Sequence, residues 1–259
     1  LHCFWGIGAT GGPYIMGLCL SRGMGWQAGY RTISFLQMAL TLILLLSLPL
    51  WKKQELPLSG GETVRPQTPQ WGKLLKRPGV KAALTAFFFY SALELTTGLW
   101  GSSYMVAVRG ISAETAAKWI SLFYLGITAG RFFSGFLTLR FSDDAMVRLG
   151  EGTAIVGILL MLLPLHNLFL CLGLILTGLG CAPIYPSLLH ATPQRFGKSL
   201  SQSLMGTQMA ISYLGSTTMP PVSGFLSEKI SMGLYPVLLL VFALCMTILT
   251  EKGRHCTAE

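Results

Sequence analysis

Residues 82–108 read AALTAFFFYSALELTTGLWGSSYMVAV, an almost unbroken apolar run with one acid, Glu94, at its centre. As an α-helix rising ~1.5 Å per residue, the run reaches about 40 Å. That length crosses a hydrocarbon core of about 30 Å with some tilt. Glu94 then lies near the middle of the membrane. A charged group at that depth costs at least about 2.5 kcal/mol, so it faces a partner or a cavity and marks a pathway.

Tyr90, Glu94, Thr97, Gly101 and Tyr104 recur at spacings of 4, 3, 4 and 3, which puts them on one helical face. The opposite face carries Phe87, Leu95 and Met105. Thr96, Thr97, Gly98, Gly101, Ser102 and Ser103 weaken the second half of the helix. Glu94 has two readings: a protonated acid bonded to a neighbouring helix, or an acid in a water-filled cavity that binds substrate or a proton. The polar face favours the second.

Only 11% of the 259 residues are charged and 52% are hydrophobic, against about 25% charged in soluble domains. The chain is therefore an all-α integral membrane protein, and its first partner is the lipid bilayer. Its apolar runs are too long and too many for signal peptides. The net charge of +9 sits between the apolar runs, which suits orientation in a membrane and not binding of nucleic acid. The six cysteines are scattered, with no CxxC or Cys/His spacing, so neither a disulfide framework nor a metal site is expected. No cofactor is expected either. His2, His166, His190 and His255 lie far apart, and a lone histidine near a helix end is usually structural.

Eight spans are expected, over 1–20, 31–50, 82–108, 116–139, 145–165, 167–190, 200–226 and 231–250. The one long polar stretch, about 52–80, holds Pro57, Gly60, Gly61, Pro66 and Pro69 and reads as an irregular linker. With this linker in the cytoplasm, 14 of the 19 basic residues fall on the cytoplasmic side, as the positive-inside rule asks. The C-terminus is then cytoplasmic. Gly126, Gly130 and Ser134 make a small-residue seam. Arg131 beside it reads either as a snorkelling side chain or as part of a gate with Gly135 and the loop acids Asp143 and Asp144. Gly178, Gly180, Pro183 and Pro186 should kink or break the sixth span, which makes Tyr185 a candidate cavity residue. Gln208, Ser212 and Gly215 share one face of the seventh. Of the ten acids only Glu94 lies deep in a span on this reading, the others being in loops or near span ends.

Several of these features together resemble the major facilitator superfamily. They are the link Gly25-Trp26-Gln27-x-Gly29-Tyr30-Arg31, the basic central linker, six further spans, and the pattern Gly126-x-x-x-Gly130-Arg131-x-x-x-Gly135. Tyr90-x-x-x-Glu94, Trp100, Tyr104 and the run from Gly180 to Pro186 resemble its bacterial fucose-permease-like branch. Such transporters have two six-helix halves. The resemblance implies a chain truncated at its N-terminus, holding family helices five to twelve. Residues 1–50 would be the last two helices of the N-terminal bundle and 51–81 the cytoplasmic linker. Residues 82–250 would be the complete six-helix C-terminal bundle and 251–259 the tail. The missing N-terminal helices of the same chain would be its partner. A multi-pass protein of a bacterial cell membrane is implied. Gly8-x-x-x-Gly12-Pro13 also resembles part of a glycine-proline motif in the fifth helix of some antiporters, although Met16-Gly17 departs from it.

The expected function is a secondary active transporter of a small polar solute, a sugar, coupled to protons. Substrate would meet Tyr90, Glu94, Thr97, Trp100, Tyr104, Tyr185 and Gln208. The resemblance places Glu94, Trp100, Tyr104 and Tyr185 at the central cavity. Fucose permease carries its proton-linked acids in the helices missing here, so Glu94 is the candidate for proton coupling on its own residues' evidence. Gly126, Gly130, Arg131, Gly135, Asp143 and Asp144 form the candidate gate. The alternative is a drug or metabolite exporter on the same fold, and behind it a non-transporting receptor. An intramembrane enzyme needs paired acids or His with Asp at one depth, and the sequence offers no such pair.

Overall fold

The computed structural model describes residues 2–52, 72, 75–164 and 166–258. Most of the linker, including Lys53, Arg65 and Lys73, lies outside them. The described residues form eight α-helices and no strand. They are α1 (His2–Ser21), α2 (Gly25–Lys52), α3 (Val80–Arg109), α4 (Ala113–Leu137), α5 (Asp143–Leu162), α6 (Asn167–Phe196), α7 (Lys198–Lys229) and α8 (Tyr235–Ala258), with a short 3-10 turn at Met232–Leu234 before α8. Among the described residues six segments are long and apolar enough to cross a membrane: Gly25–Leu50, Val80–Arg109, Ala113–Leu137, Asp143–Leu162, Asn167–Phe196 and Met232–Cys256. The Ser-, Thr- and Gln-bearing α7 is less apolar than these, as expected of a helix that meets other helices more than lipid.

The chain divides into two compact units, one of residues 11–69 and one of residues 1–10 with 70–259. In the smaller unit, the link expected over 21–30 shrinks to a turn between α1 and α2. Gly23 (φ 70°) and Gly25 (φ 76°) take left-handed conformations there. The two helices meet where a methyl group on Gly29 would lie 2.6 Å from the Met16 sulfur. Along α2, Phe35, Leu36, Met38, Leu40 and Leu42 to Leu46 are exposed, the pattern of a lipid-facing helix.

In the larger unit the helices are set off by local signals. Gly110 (φ 63°) ends α3, and its N–H donates to the Met105 carbonyl. Ser112 and Ser142 cap α4 and α5 by accepting from Thr115 and Ala145 N–H groups, each at 3.3 Å. The Gly/Pro cluster does not break α6, which runs on with Pro183, Pro186 and Pro193 inside it, and α3 is continuous through Gly98 and Gly101. These small residues are where helices touch. A methyl on Gly178 would lie 2.1 Å from the Phe123 carbonyl oxygen, and one on Gly180 2.3 Å from the Ala154 nitrogen. A methyl on Gly98 would collide with the Tyr124 hydroxyl. With no water to bond a broken backbone, neighbouring helices hold these segments helical. Pro183 itself packs on Gly150. The core runs between them through Phe87, Leu93, Phe123, Ile127, Ile158, Met161, Leu174 and Phe242.

Gly178→Leu should therefore split α4 from α6 and cost about 3 kcal/mol or more, within the range of severe overpacking. Gly135→Ala, where nothing lies within 4 Å, should stay within about 0.5 kcal/mol of wild type. Thermal unfolding of the two purified variants in one detergent checks the contrast.

Candidate functional site

The polar face of α3 turns into the helix bundle. Tyr90, Glu94, Thr97, Gly101 and Tyr104 are all buried, so the spacing marks a seam between helices. Glu94, 5% exposed, meets Arg131 of α4, whose Nη2 lies 3.5 Å from Glu94 Oε1. Both side chains are more than nine-tenths buried. Two opposite charges taken out of water in this way hold α3 to α4, and either one alone would be left uncompensated. The Tyr90 hydroxyl, next to the pair, donates to the Cys181 carbonyl of α6 at 3.2 Å. The half-buried Tyr185 ring stands edge-on to Phe87 at 5.4 Å and tilted against Tyr90 at 5.8 Å.

The remaining candidates are engaged in packing. Thr97 Oγ1 donates to the Leu93 carbonyl at 2.7 Å, and its own carbonyl accepts from the Tyr235 hydroxyl at 3.0 Å. Tyr104 stacks on Tyr235 at 5.1 Å and donates to the Met161 carbonyl at 3.4 Å. Trp100 Nε1 donates to the Pro220 carbonyl at 2.8 Å, and its ring lies over Gly224. Gln208 Oε1 accepts from Thr192 at 3.0 Å. The hydroxyls of Ser91 and Ser212 join α3 to α7.

Arg131 and the loop acids take separate partners in this structure. Arg131 pairs with Glu94, while Asp143 takes His190 Nδ1 at 2.7 Å and Asp144 takes Arg195. The loop acids begin α5, and α6 passes beside them, so a histidine and an arginine of α6 reach them. Gly126 and Gly130 face the α6 backbone, where methyl groups would lie 2.7 Å from the Ile175 carbonyl and 2.5 Å from the Ala182 Cβ. Gly135 faces open space.

Arg131 also belongs to a wall that sequence reading missed. A cavity of about 780 Å³ lies between α4 and α6. Arg131, Ser134 and Thr138 line it from one side, Ser187, His190 and Gln194 from the other, and Asp143 lies at its edge. Both sets follow i, i+3, i+7, so each is one polar stripe on its helix. That repeat is visible in the sequence, but only the fold pairs the stripes.

A second buried acid was also missed. Glu151 of α5 is 2% exposed and accepts from Thr250 Oγ1 of α8 at 2.7 Å. By sequence it lies six residues into its expected span, near an end. The fold instead covers it with α8 and surrounds that end with ions. Arg148 grips Glu251 through two bonds of 2.9 and 3.0 Å, and Arg254 also contacts Glu251. Among the described residues no group of three or more His, Cys, Asp or Glu side chains could hold a metal. Cys19, Cys171, Cys181, Cys245 and Cys256 are free thiols.

A bundle of long apolar helices around an interior charge pair, with a polar cavity against that pair, defines a multi-pass membrane protein of transporter architecture. The family model of the Major Facilitator Superfamily matches residues 100–252, more than half of the chain. The chain belongs to this superfamily, one of transporters and not of enzymes. Its curated relatives include "Bypass of stop codon protein 6" of Saccharomyces cerevisiae. The two are 23% identical over 197 residues, covering 70% of this chain and 38% of the yeast protein. A crystal structure of the transporter FucP in the outward conformation aligns with a TM-score of 0.70 and 18% identity, over 91% of this chain and 57% of FucP. A crystal structure of a single-residue variant of FucP, the E. coli fucose:proton symporter, aligns with a TM-score of 0.59 and 20% identity. It covers 71% of this chain and 44% of that one. At these identities the likeness is one of fold.

Removing one member of the interior pair should be costly and removing both should not. Arg131→Leu alone should lose about 3–5 kcal/mol, and Glu94→Leu with Arg131→Leu should recover most of it. A double-mutant cycle in thermal or denaturant unfolding checks this coupling.

Proposed function

We propose that the protein is a secondary active transporter that carries a small polar solute of the sugar type by alternating access, with Glu94 as the proton-coupling group. The observation that carries this reading is the buried Glu94–Arg131 pair beside a polar cavity. An intramembrane ion pair is expensive, and carboxylates in that setting serve proton and solute pathways. Family membership supports the transporter class, and the fold likeness to a fucose:proton symporter supports the coupled, sugar-type reading.

In this proposal Glu94, Arg131 and Tyr185 meet the solute, with Tyr90 holding the pair. Thr97, Trp100 and Tyr104 position α3 against its neighbours, and Gln208 ties α7 to α6. Gly126 and Gly130 form the seam on which α4 slides past α6, Gly135 leaves the cavity open, and Asp143 and Asp144 latch α5 to α6. Residues 1–50 and 82–250 belong to two different bundles joined by the 51–81 linker, with the linker and the C-terminal tail in the cytoplasm.

The test uses the complete gene product in proteoliposomes enclosing a pH-sensitive dye. Neutral and acidic sugars should each be offered, and one class should drive acidification of the interior. Glu94→Gln should lower that acidification at least about tenfold, the scale of losing a general proton acceptor. Undiminished acidification in the variant would place coupling on another residue. Absence of any response across the panel would reject the sugar-type reading.

A further inference from the structure

Arg131 has two neighbours of different kinds, the Glu94 carboxylate behind it and the polar cavity in front. We infer that the cavity takes a hydroxylated carboxylate, a sugar acid, whose carboxylate replaces Glu94 on Arg131 while Glu94 takes up the proton. The inference rests on the transporter reading above and narrows its solute from sugar-type to acidic.

Charge bookkeeping in a low-dielectric interior is the first argument. Before exchange the site holds Arg131⁺ and Glu94⁻. After it, the site holds Arg131⁺, the ligand carboxylate and a neutral Glu94 acid. The buried net charge is the same in both states, so neither holds an uncompensated ion. A neutral sugar cannot do this, because it would leave Arg131 facing either Glu94 still ionised or no anion at all. The step moves one proton from water to the Glu94 carboxylate and breaks no covalent bond.

Geometry is the second argument. The Arg131–Glu94 separation of 3.5 Å is longer than the ~2.7–2.9 Å of a charge-assisted hydrogen bond. A guanidinium fork accepts a carboxylate best through two parallel bonds, and a mobile ligand can adopt that geometry where Glu94, fixed on α3, does not. The third argument is the lining. Ser134 and Thr138, one turn apart, and Ser187 and Gln194, two turns apart, supply hydroxyl and amide groups suited to sugar hydroxyls. A volume of about 780 Å³ falls within the ~300–1,000 Å³ of small-ligand sites. The titratable and charged groups around Glu94 are Tyr90 of α3, Tyr124 and Arg131 of α4, and Cys181 and Tyr185 of α6, with Arg131 and Tyr90 acting on it directly.

The complete gene product in proteoliposomes should be tested with D-glucuronate and D-gluconate against D-glucose and L-fucose. The acids should enter with protons, and an imposed membrane potential should leave their initial rate unchanged, because an anion with one proton carries no charge. Glu94→Gln should abolish accumulation driven by a pH gradient. It should keep glucuronate counterflow and tighten glucuronate binding by about tenfold, since the competing carboxylate is gone. Arg131→Lys keeps the charge without the fork and should weaken glucuronate by about tenfold. The Glu94→Gln, Arg131→Gln double variant, which leaves no orphan charge and whose folding is followed by gel filtration, should lose preference for acids over neutral sugars. Potential-dependent uptake of glucose or fucose with the acids inert would overturn this inference and leave the transporter reading standing. Silence from all four solutes would overturn both.

Discussion

The larger unit depends on helix backbones approaching closely where side chains are missing. Gly126, Gly130, Gly150, Gly157, Gly173, Gly178 and Gly180 form facing small surfaces on α4, α5 and α6. At each of them an added methyl would lie 2.7 Å or less from an atom of a neighbouring helix. Lipid gives helices no hydrophobic reason to associate, so contact of this kind, with van der Waals attraction and hydrogen bonds between helices, is what holds them together. It also explains why α6 stays helical through three prolines. The backbone is buried against α4 and α5, where it has no water to turn to.

The ionic arrangement follows from that packing. Once α4 and α6 share a glycine seam, the polar stripes beginning at Arg131 and Ser187 stand on either side of one cavity. Arg131 is fixed with one side toward α3, where Glu94 waits one helix away. The acids at the start of α5 then meet α6 and α8, giving the His190–Asp143 and Arg195–Asp144 contacts. Interior and edge therefore hold separate sets of charges. The interior pair is largely shielded from water and costly to break. The edge pairs are partly wet, Arg148 being 60% exposed, and individually weak.

Much of this was legible in the chain. Helix number followed from the apolar runs, because every backbone group in a bilayer must be bonded within its own segment. The family followed from the glycine, arginine and proline patterns. Glu94 stood out as a lone acid in an apolar run. Its partner did not stand out, because Arg131 lies on another helix. A sequence gives the face on which a residue sits and not the face it meets. The same gap hid Glu151, which only α8 and Thr250 show to be interior. It also hid the partners of Thr97, Trp100 and Tyr104, each of which has its polar atoms on a neighbouring helix or its own backbone.

By itself the sequence determined that the chain is a set of membrane-crossing helices with an acid in an interior position, since length, hydropathy and 3.6-residue periodicity are local properties. The tertiary structure alone decided that Glu94 pairs with Arg131, that the polar residues of α3 are buried among neighbouring helices, and that a polar cavity opens between α4 and α6. Those outcomes depend on which helices glycine allows to touch, and a contact between distant segments is encoded in no single one of them.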